Sequence, residues 1–90
     1  MPYIRKELRP EIDAIIDPLI RLLKDMNAET RAGCLTYIIF KLILIYKDSN
    51  WYGKMDALKA CESAMDEFRR RFIHSYEDLA IKANGDVILL

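Results

Sequence analysis

Residues 32–46 read AGCLTYIIFKLILIY and form the most apolar stretch of the chain, interrupted only by Lys41. These residues are too few to cross the hydrocarbon core of a bilayer, which takes about 20. The apolar run also exceeds the usual length of a strand, despite its β-branched residues. The stretch therefore predicts a buried helix that begins after an N-cap, Asn27, and ends near Lys47.

Both sides of this helix are apolar when residues are placed at steps of about 100°. We expect one stripe to face the core. It contains Leu35, Ile39, Leu42 and Tyr46. The opposite stripe contains Tyr37, Phe40 and Leu44. Such a helix is either wrapped by other elements of its own chain or meets another chain, most simply its own copy in a two-fold homodimer. In the second case, the opposite stripe supplies the interface residues.

The segment before Asn27 shows the period of an amphipathic helix. Apolar residues three and four apart predict a helix over residues 10–26. Pro18 lies inside this segment and either kinks the helix or begins a new one with Asp17 as its N-cap. The apolar stripe continues through Pro18, which favours a kink.

A third helix is predicted after the polar break at residues 47–50. It covers residues 51–73, and its apolar residues alternate three and four apart as in a heptad seam. The seam contains Met55, Leu58, Cys61, Met65, Phe68 and Phe72.

A short fourth helix is predicted over residues 76–83. Ser75 and Asp78 resemble a capping box at its start, and Asn84-Gly85 would end it in left-handed geometry. Residues 87–90 form an apolar tail, which we expect to dock on its own domain or on a neighbour.

The composition indicates a single helical domain over residues 1–90. The chain is 52% hydrophobic and 31% charged, and its 3 glycines and 3 prolines are too few for the turns of a small all-β domain. We therefore expect an all-α helical bundle with three main helices and a short C-terminal helix. A chain of this length buries only roughly 65% of the surface that its unfolded form exposes, which favours an oligomer.

The charges of the chain cancel, with 14 basic and 14 acidic side chains. Binding to phosphates releases counterions only where basic residues are in excess, so this balance argues against a dedicated nucleic-acid or anionic-membrane surface. Arg69, Arg70 and Arg71 form the only basic run, and nucleic-acid binding through them is one alternative function. Three consecutive helical side chains fan over roughly 200°, and Asp66 and Glu67 lie beside them, so we favour a salt-bridged face.

Two pairs of carboxylates raise another alternative, a Mg²⁺-dependent nucleotide pyrophosphohydrolase. Asp13 and Asp17 lie one turn apart on the first helix, and Glu62 and Asp66 lie one turn apart on the third. Four such acids could hold Mg²⁺ through oxygen ligands. The all-α enzymes of that class rely on acids three residues apart, and no two acids in this chain have that spacing. A solvated or salt-bridged face is therefore the favoured interpretation, and no metal site or cofactor is predicted.

The nucleophilic side chains lack the rest of a catalytic site. Cys34, Cys61 or Ser75 would need His74 within hydrogen-bond reach and an oxyanion hole, and no glycine-flanked turn is present to supply one. His74 is expected near a helix C-terminus, where the helix dipole favours it. Because no export signal is found, we expect the cysteines to be reduced and buried in a cytoplasmic protein.

Four segments resemble a family of small uncharacterised proteins from prokaryotes and their phages. They are MPYI at residues 1–4, AGCLTY at 32–37, EFRR at 67–70, and the closing residues from YED at 76–78 to NGDV at 84–87. The resemblance covers nearly the whole chain and implies a small single-domain helical protein. It implies no activity, so no catalytic residue is transferred from it.

These patterns together predict a non-enzymatic helical interaction or accessory module that acts as a homodimer. Neither a membrane partner nor a small-molecule ligand is predicted.

Overall fold

The computed structural model describes residues 2–88, and this part of the chain is helical and contains no strand. The α-helices are α1 (Arg9–Lys24), α2 (Ala28–Ile43), α3 (Trp51–Phe72) and α4 (His74–Asn84). Single turns of 3₁₀-helix precede α1 at Lys6–Leu8 and follow α2 at Leu44–Tyr46. The all-α prediction of three main helices and a short fourth is confirmed.

α1 runs without a break through Pro18. Of the two alternatives, the new helix with Asp17 as its N-cap, which was the less favoured, is therefore wrong. A proline removes one backbone donor, but the apolar stripe on both sides of it holds the two halves in one helix.

The turn between α1 and α2 is fixed by the guanidinium of Arg31. Its Nε donates to the carbonyl oxygen of Leu23 at 2.9 Å, and its Nη2 donates to those of Lys24 and Met26 at 3.1 and 2.7 Å. The last carbonyls of an α-helix have no partner within the helix, and a cation there also favours the helix dipole. One side chain of α2 therefore caps the end of α1.

Asn27 is the N-cap of α2, as predicted, because its side chain accepts a hydrogen bond from the backbone N–H of Thr30 at 2.9 Å. The other end of α2 differs from the prediction. The α-helix stops at Ile43, and the chain tightens into the 3₁₀ turn before Lys47.

α3 begins at a tight turn in which Gly53 lies very close to Ser49. The side chain of Asn50 accepts a hydrogen bond from the N–H of Gly53 at 3.0 Å. A Cβ added to Gly53 would lie 2.6 Å from the Cβ of Ser49, closer than real Cβ contacts come. Glycine is therefore needed at position 53 for space.

The start of α4 and the backbone conformation of Gly85, just after its end, differ from the predictions. The helix begins at His74, so Ser75 lies inside its first turn, and the N-cap Ile73 makes no side-chain hydrogen bond. The capping box is wrong because a single residue separates α3 from α4. α4 ends at Asn84 as expected, but Gly85 has φ 88° and ψ 148°, outside the left-handed helical region.

The chain consists of two compact units. The first unit, Tyr3–Leu58, contains α1, α2 and the first turns of α3. The second begins at Lys59 and contains the rest of α3 and α4. The single domain over residues 1–90 stays a prediction.

Very little of the described chain is buried. Ala57, at 4% exposure, is the one residue of the part described that is fully enclosed. In the first unit, α1 contacts α2, and both helices carry half-buried apolar side chains. These are Ile16, Leu19 and Leu23 on α1 and Cys34 and Ile38 on α2.

The predicted core face of α2 is wrong. Leu35, Ile39 and Leu42 are exposed, Leu42 at 58%, whereas Tyr46 is half-buried. The half-buried residues of α2, Cys34 and Ile38, lie roughly 90° away around the helix. Both faces are apolar, so hydrophobicity alone did not distinguish them. Within the first unit, Leu35, Ile39 and Leu42 are left exposed.

The part of the apolar tail that the structure describes is also not docked. Val87 and Ile88 are exposed. Leu89 and Leu90 lie outside the described residues, so docking of the tail on a neighbour stays a prediction.

Replacing Gly53 by alanine should destabilise the protein by about 1–3 kcal/mol, because the new methyl group meets the Cβ of Ser49. Gly33 is the matched control, since it lies inside α2 with nothing within 4 Å of its added Cβ. Gly33→Ala should stabilise by up to about 1 kcal/mol. Urea unfolding followed by circular dichroism, at one protein concentration, measures both. If Gly53→Ala stabilised the protein as much as Gly33→Ala, the close contact between positions 49 and 53 would be contradicted.

Replacing Arg31 by lysine should lower the free energy of unfolding by about 1–2 kcal/mol, because an ammonium cannot reach three carbonyl oxygens in the planar geometry of a guanidinium. Arg21→Lys, on the exposed side of α1, keeps the same charge and should leave the stability unchanged. If both variants unfold at the same urea concentration as the wild type, Arg31 does not hold the turn.

Candidate interaction surface

An apolar groove lies at the end of α2, beside the first turns of α3 and within the first unit. Its volume is about 390 Å³. The apolar residues that line it are Phe40, Ile43, Leu44, Tyr46, Met55, Ala57 and Leu58. The other two lining residues are Lys47 and Lys54, so the charge at the groove is positive.

The burial of these residues increases from the edge of the groove to its floor. Ala57 is buried and Met55 is half-buried, whereas Phe40 is 60% exposed and Leu44 and Leu58 are also exposed. Concave apolar surfaces with exposed aromatic edges are typical of sites that bind other proteins or ligands.

One of the two lysines also supports the local fold. The ammonium of Lys54 donates to the carbonyl oxygen of Ser49 at 2.8 Å, across the turn that precedes α3. An ammonium has three donors, so two remain for other acceptors.

The three predicted interface residues share one exposed surface. Phe40 and Leu44 line the groove. Tyr37 lies one turn earlier on α2, and the ammonium of Lys41 is 5.7 Å from the centre of its ring. All three side chains are exposed within the chain. Their role in an interface stays a prediction.

Sequence reasoning missed the groove itself. Met55 and Leu58 were assigned to the seam of α3, and Ile43 was assigned to no face. The sequence signal for the groove is the short polar break between α2 and α3. In this break Asn50 caps α3, and Gly53 leaves room for the side chain of Ser49.

Three apolar residues of the α3 seam are exposed in the second unit. Met65, Phe68 and Phe72 are all exposed, and the rings of the two phenylalanines lie 5.2 Å apart. The two phenylalanines, together with Ile73 and Tyr76, form a second apolar surface.

The four candidate metal ligands are not brought together as a described cluster. Asp13 and Asp17 lie on α1 in the first unit, and Glu62 and Asp66 lie on α3 in the second. Among the residues that the structure describes, no group of three or more His, Cys, Asp or Glu side chains could hold a metal ion.

The arginine run is engaged in ion pairs and ring contacts, as the neighbouring acids predicted. Arg69 pairs with Asp66 at 3.2 Å, and the Nε of Arg70 donates to both oxygens of Glu67 at 3.1 Å. The guanidinium of Arg71 lies 5.8 Å from the ring centre of Phe72.

The nucleophile candidates are placed as follows. Cys34 and Cys61 are free thiols and half-buried rather than buried. They lie in different units, while His74 and Ser75 occupy the first two positions of α4 and are exposed. His74 follows the end of α3 by two residues but is also the first residue of α4, so it lies at a helix N-terminus, where the helix dipole does not favour a positive charge.

In the described part of the chain, none of the helices combines the length and the apolar character needed to cross a membrane.

Comparison with known proteins places the chain in a family. It belongs to the family described as a domain of unknown function, DUF6899, whose model matches residues 1–87. Searches of the curated proteins and of the solved structures found no significant match.

Proposed function

We propose that this protein is a non-enzymatic helical interaction module that acts as a homodimer. Tyr37, Phe40 and Leu44 belong to the surface between the two copies. The observation that carries the proposal is the apolar surface around α2, which the chain itself leaves exposed.

The exposed area supports the proposal quantitatively. The chain exposes 8379 Å², whereas a well-packed monomer of 10.6 kDa exposes about 5,500 Å². Two separate well-packed bodies with the sizes of the two units would expose about 6,500 Å². The remaining excess, roughly 2,000 Å², is close to the area that each partner of a large obligate dimer contributes.

The charge supports a second copy as the partner. With 14 basic and 14 acidic side chains the net charge is zero, so two copies approach without long-range repulsion. Contact through apolar helix faces then costs little electrostatic energy.

We also propose that the module acts in the cytoplasm as an accessory factor of a phage or its prokaryotic host. The two free thiols support a reducing compartment, and the sequence resemblance supports the origin.

Thermal unfolding should depend on protein concentration. Because a dimer gains stability by mass action, its Tm should rise as the concentration is raised from about 1 to 100 μM. Calorimetry across this range measures the effect. A Tm that stays constant, together with sedimentation as a monomer, would refute the homodimer.

Phe40→Asp should weaken the dimer by about 30-fold or more, because it places a charge where an exposed aromatic side chain is proposed to be covered. Tyr52→Asp is the matched control, since Tyr52 is 73% exposed in the same unit and does not line the groove. Sedimentation equilibrium measures both dissociation constants. The proposal fails if Phe40→Asp leaves the dissociation constant unchanged or if Tyr52→Asp weakens the dimer as much.

A further inference from the structure

α1 carries a second apolar row that its own unit leaves uncovered. Ile15 and Leu22 lie seven residues apart on α1, and Leu8 precedes Ile15 by the same interval. All three are exposed, Ile15 at 73%. A spacing of seven places them in one row along the helix, next to its half-buried residues.

An acid lies beside the centre of this row. Glu11 is four residues before Ile15, so it sits one turn away on the same side of α1. Asp13 lies roughly 160° from Ile15, on the opposite side of the helix. The row therefore presents apolar side chains with a negative charge along one edge.

The groove at the end of α2 has the complementary pattern. Its apolar residues are flanked by Lys47 and Lys54, and no acid lines it. An apolar helix face with an acid at its edge can bury its side chains there and bring its carboxylate to the lysines.

We infer that the groove is the docking site for α1 of a second copy. Ile15 seats among Phe40, Leu44 and Leu58, as a knob packs into a hole, and Glu11 lies beside Lys47 and Lys54. A two-fold axis repeats the contact, with each α1 in the groove of the other copy, and it covers two apolar surfaces at once.

This inference rests on the proposed homodimer and names the surfaces that meet. A second copy is the occupant, because the same chain carries both the groove and the complementary row. The exposed area also matches what a dimer of this size buries.

A charge-reversal cycle tests the contact on the full chain. Lys47→Glu should weaken dimerisation by about 5-fold or more, because it places two acids side by side. Glu11→Lys should weaken it similarly. The double variant Lys47→Glu with Glu11→Lys should recover at least about 3-fold relative to either single variant, since opposite charges face each other again. Sedimentation equilibrium at low salt measures each dissociation constant.

Asp13→Lys is the matched control for Glu11→Lys. It makes the same charge change on the opposite side of α1, so it should not rescue Lys47→Glu. Lys47 is used rather than Lys54, because the ammonium of Lys54 also holds the carbonyl of Ser49. Circular dichroism of each variant confirms that the helices are retained.

A direct crosslink provides a second readout. A photoreactive amino acid in place of Ile15 should crosslink to residues 40–58 of another copy, as detected by mass spectrometry of mixed isotope-labelled chains.

The outcomes separate this inference from the proposed function. A dimer that shows no coupling between positions 11 and 47, or equal rescue by Asp13→Lys, would overturn the docking of α1 and leave the homodimer intact. Crosslinks from position 15 to α2 or α3 within one chain only would overturn it as well. A wild-type chain that remains monomeric would refute both.

Discussion

The structure depends on one constraint, which is that α2 is apolar on more sides than its own chain covers. α1 contacts it, Cys34 and Ile38 on one side of it are half-buried, and the first turns of α3 approach its end. Leu35, Leu42 and Phe40 face outward. Burial of apolar surface is the main favourable contribution to folding, so the uncovered faces of α2 are the largest source of additional stability that a partner can provide.

Polar contacts determine which apolar face meets which neighbour. The carbonyls at the end of α1 are held by Arg31, and Asn27 and Asn50 cap the helices that follow. Each contact stabilises the fold by only about 1 kcal/mol. Their importance lies in geometry, since they set the angle at which each helix leaves its turn. They orient α2 so that Ile38 is half-buried and Phe40 lines the groove.

The sequence predicted the helices better than their packing. Spacing of apolar residues placed the three main helices, whereas the fourth was placed from polar signals at its two ends, and its start was wrong. Asn27 was identified as a cap because a side-chain oxygen three residues before a free N–H is a local feature. The core face of α2 was not predictable from spacing, because Leu35 and Ile38 are equally apolar. The groove was not predictable from spacing, because it joins the end of α2 to the start of α3 across the turn in which Gly53 lies close to Ser49. Phe40 and Leu44 were found because their spacing is regular, while Lys47 and Lys54 had no periodic signal.

The Arg31 contact also bears on how the chain reaches its folded state. The guanidinium reaches back only 8 residues to the carbonyl of Leu23, so the pair of helices closes through local contacts. Contacts between residues close in sequence form in about microseconds to milliseconds, well before two chains meet at cellular concentrations. For the proposed homodimer, encounter between two chains is then the slow event after synthesis. The rate of expression sets how long the apolar surface of each helical pair stays exposed to other proteins in the cell.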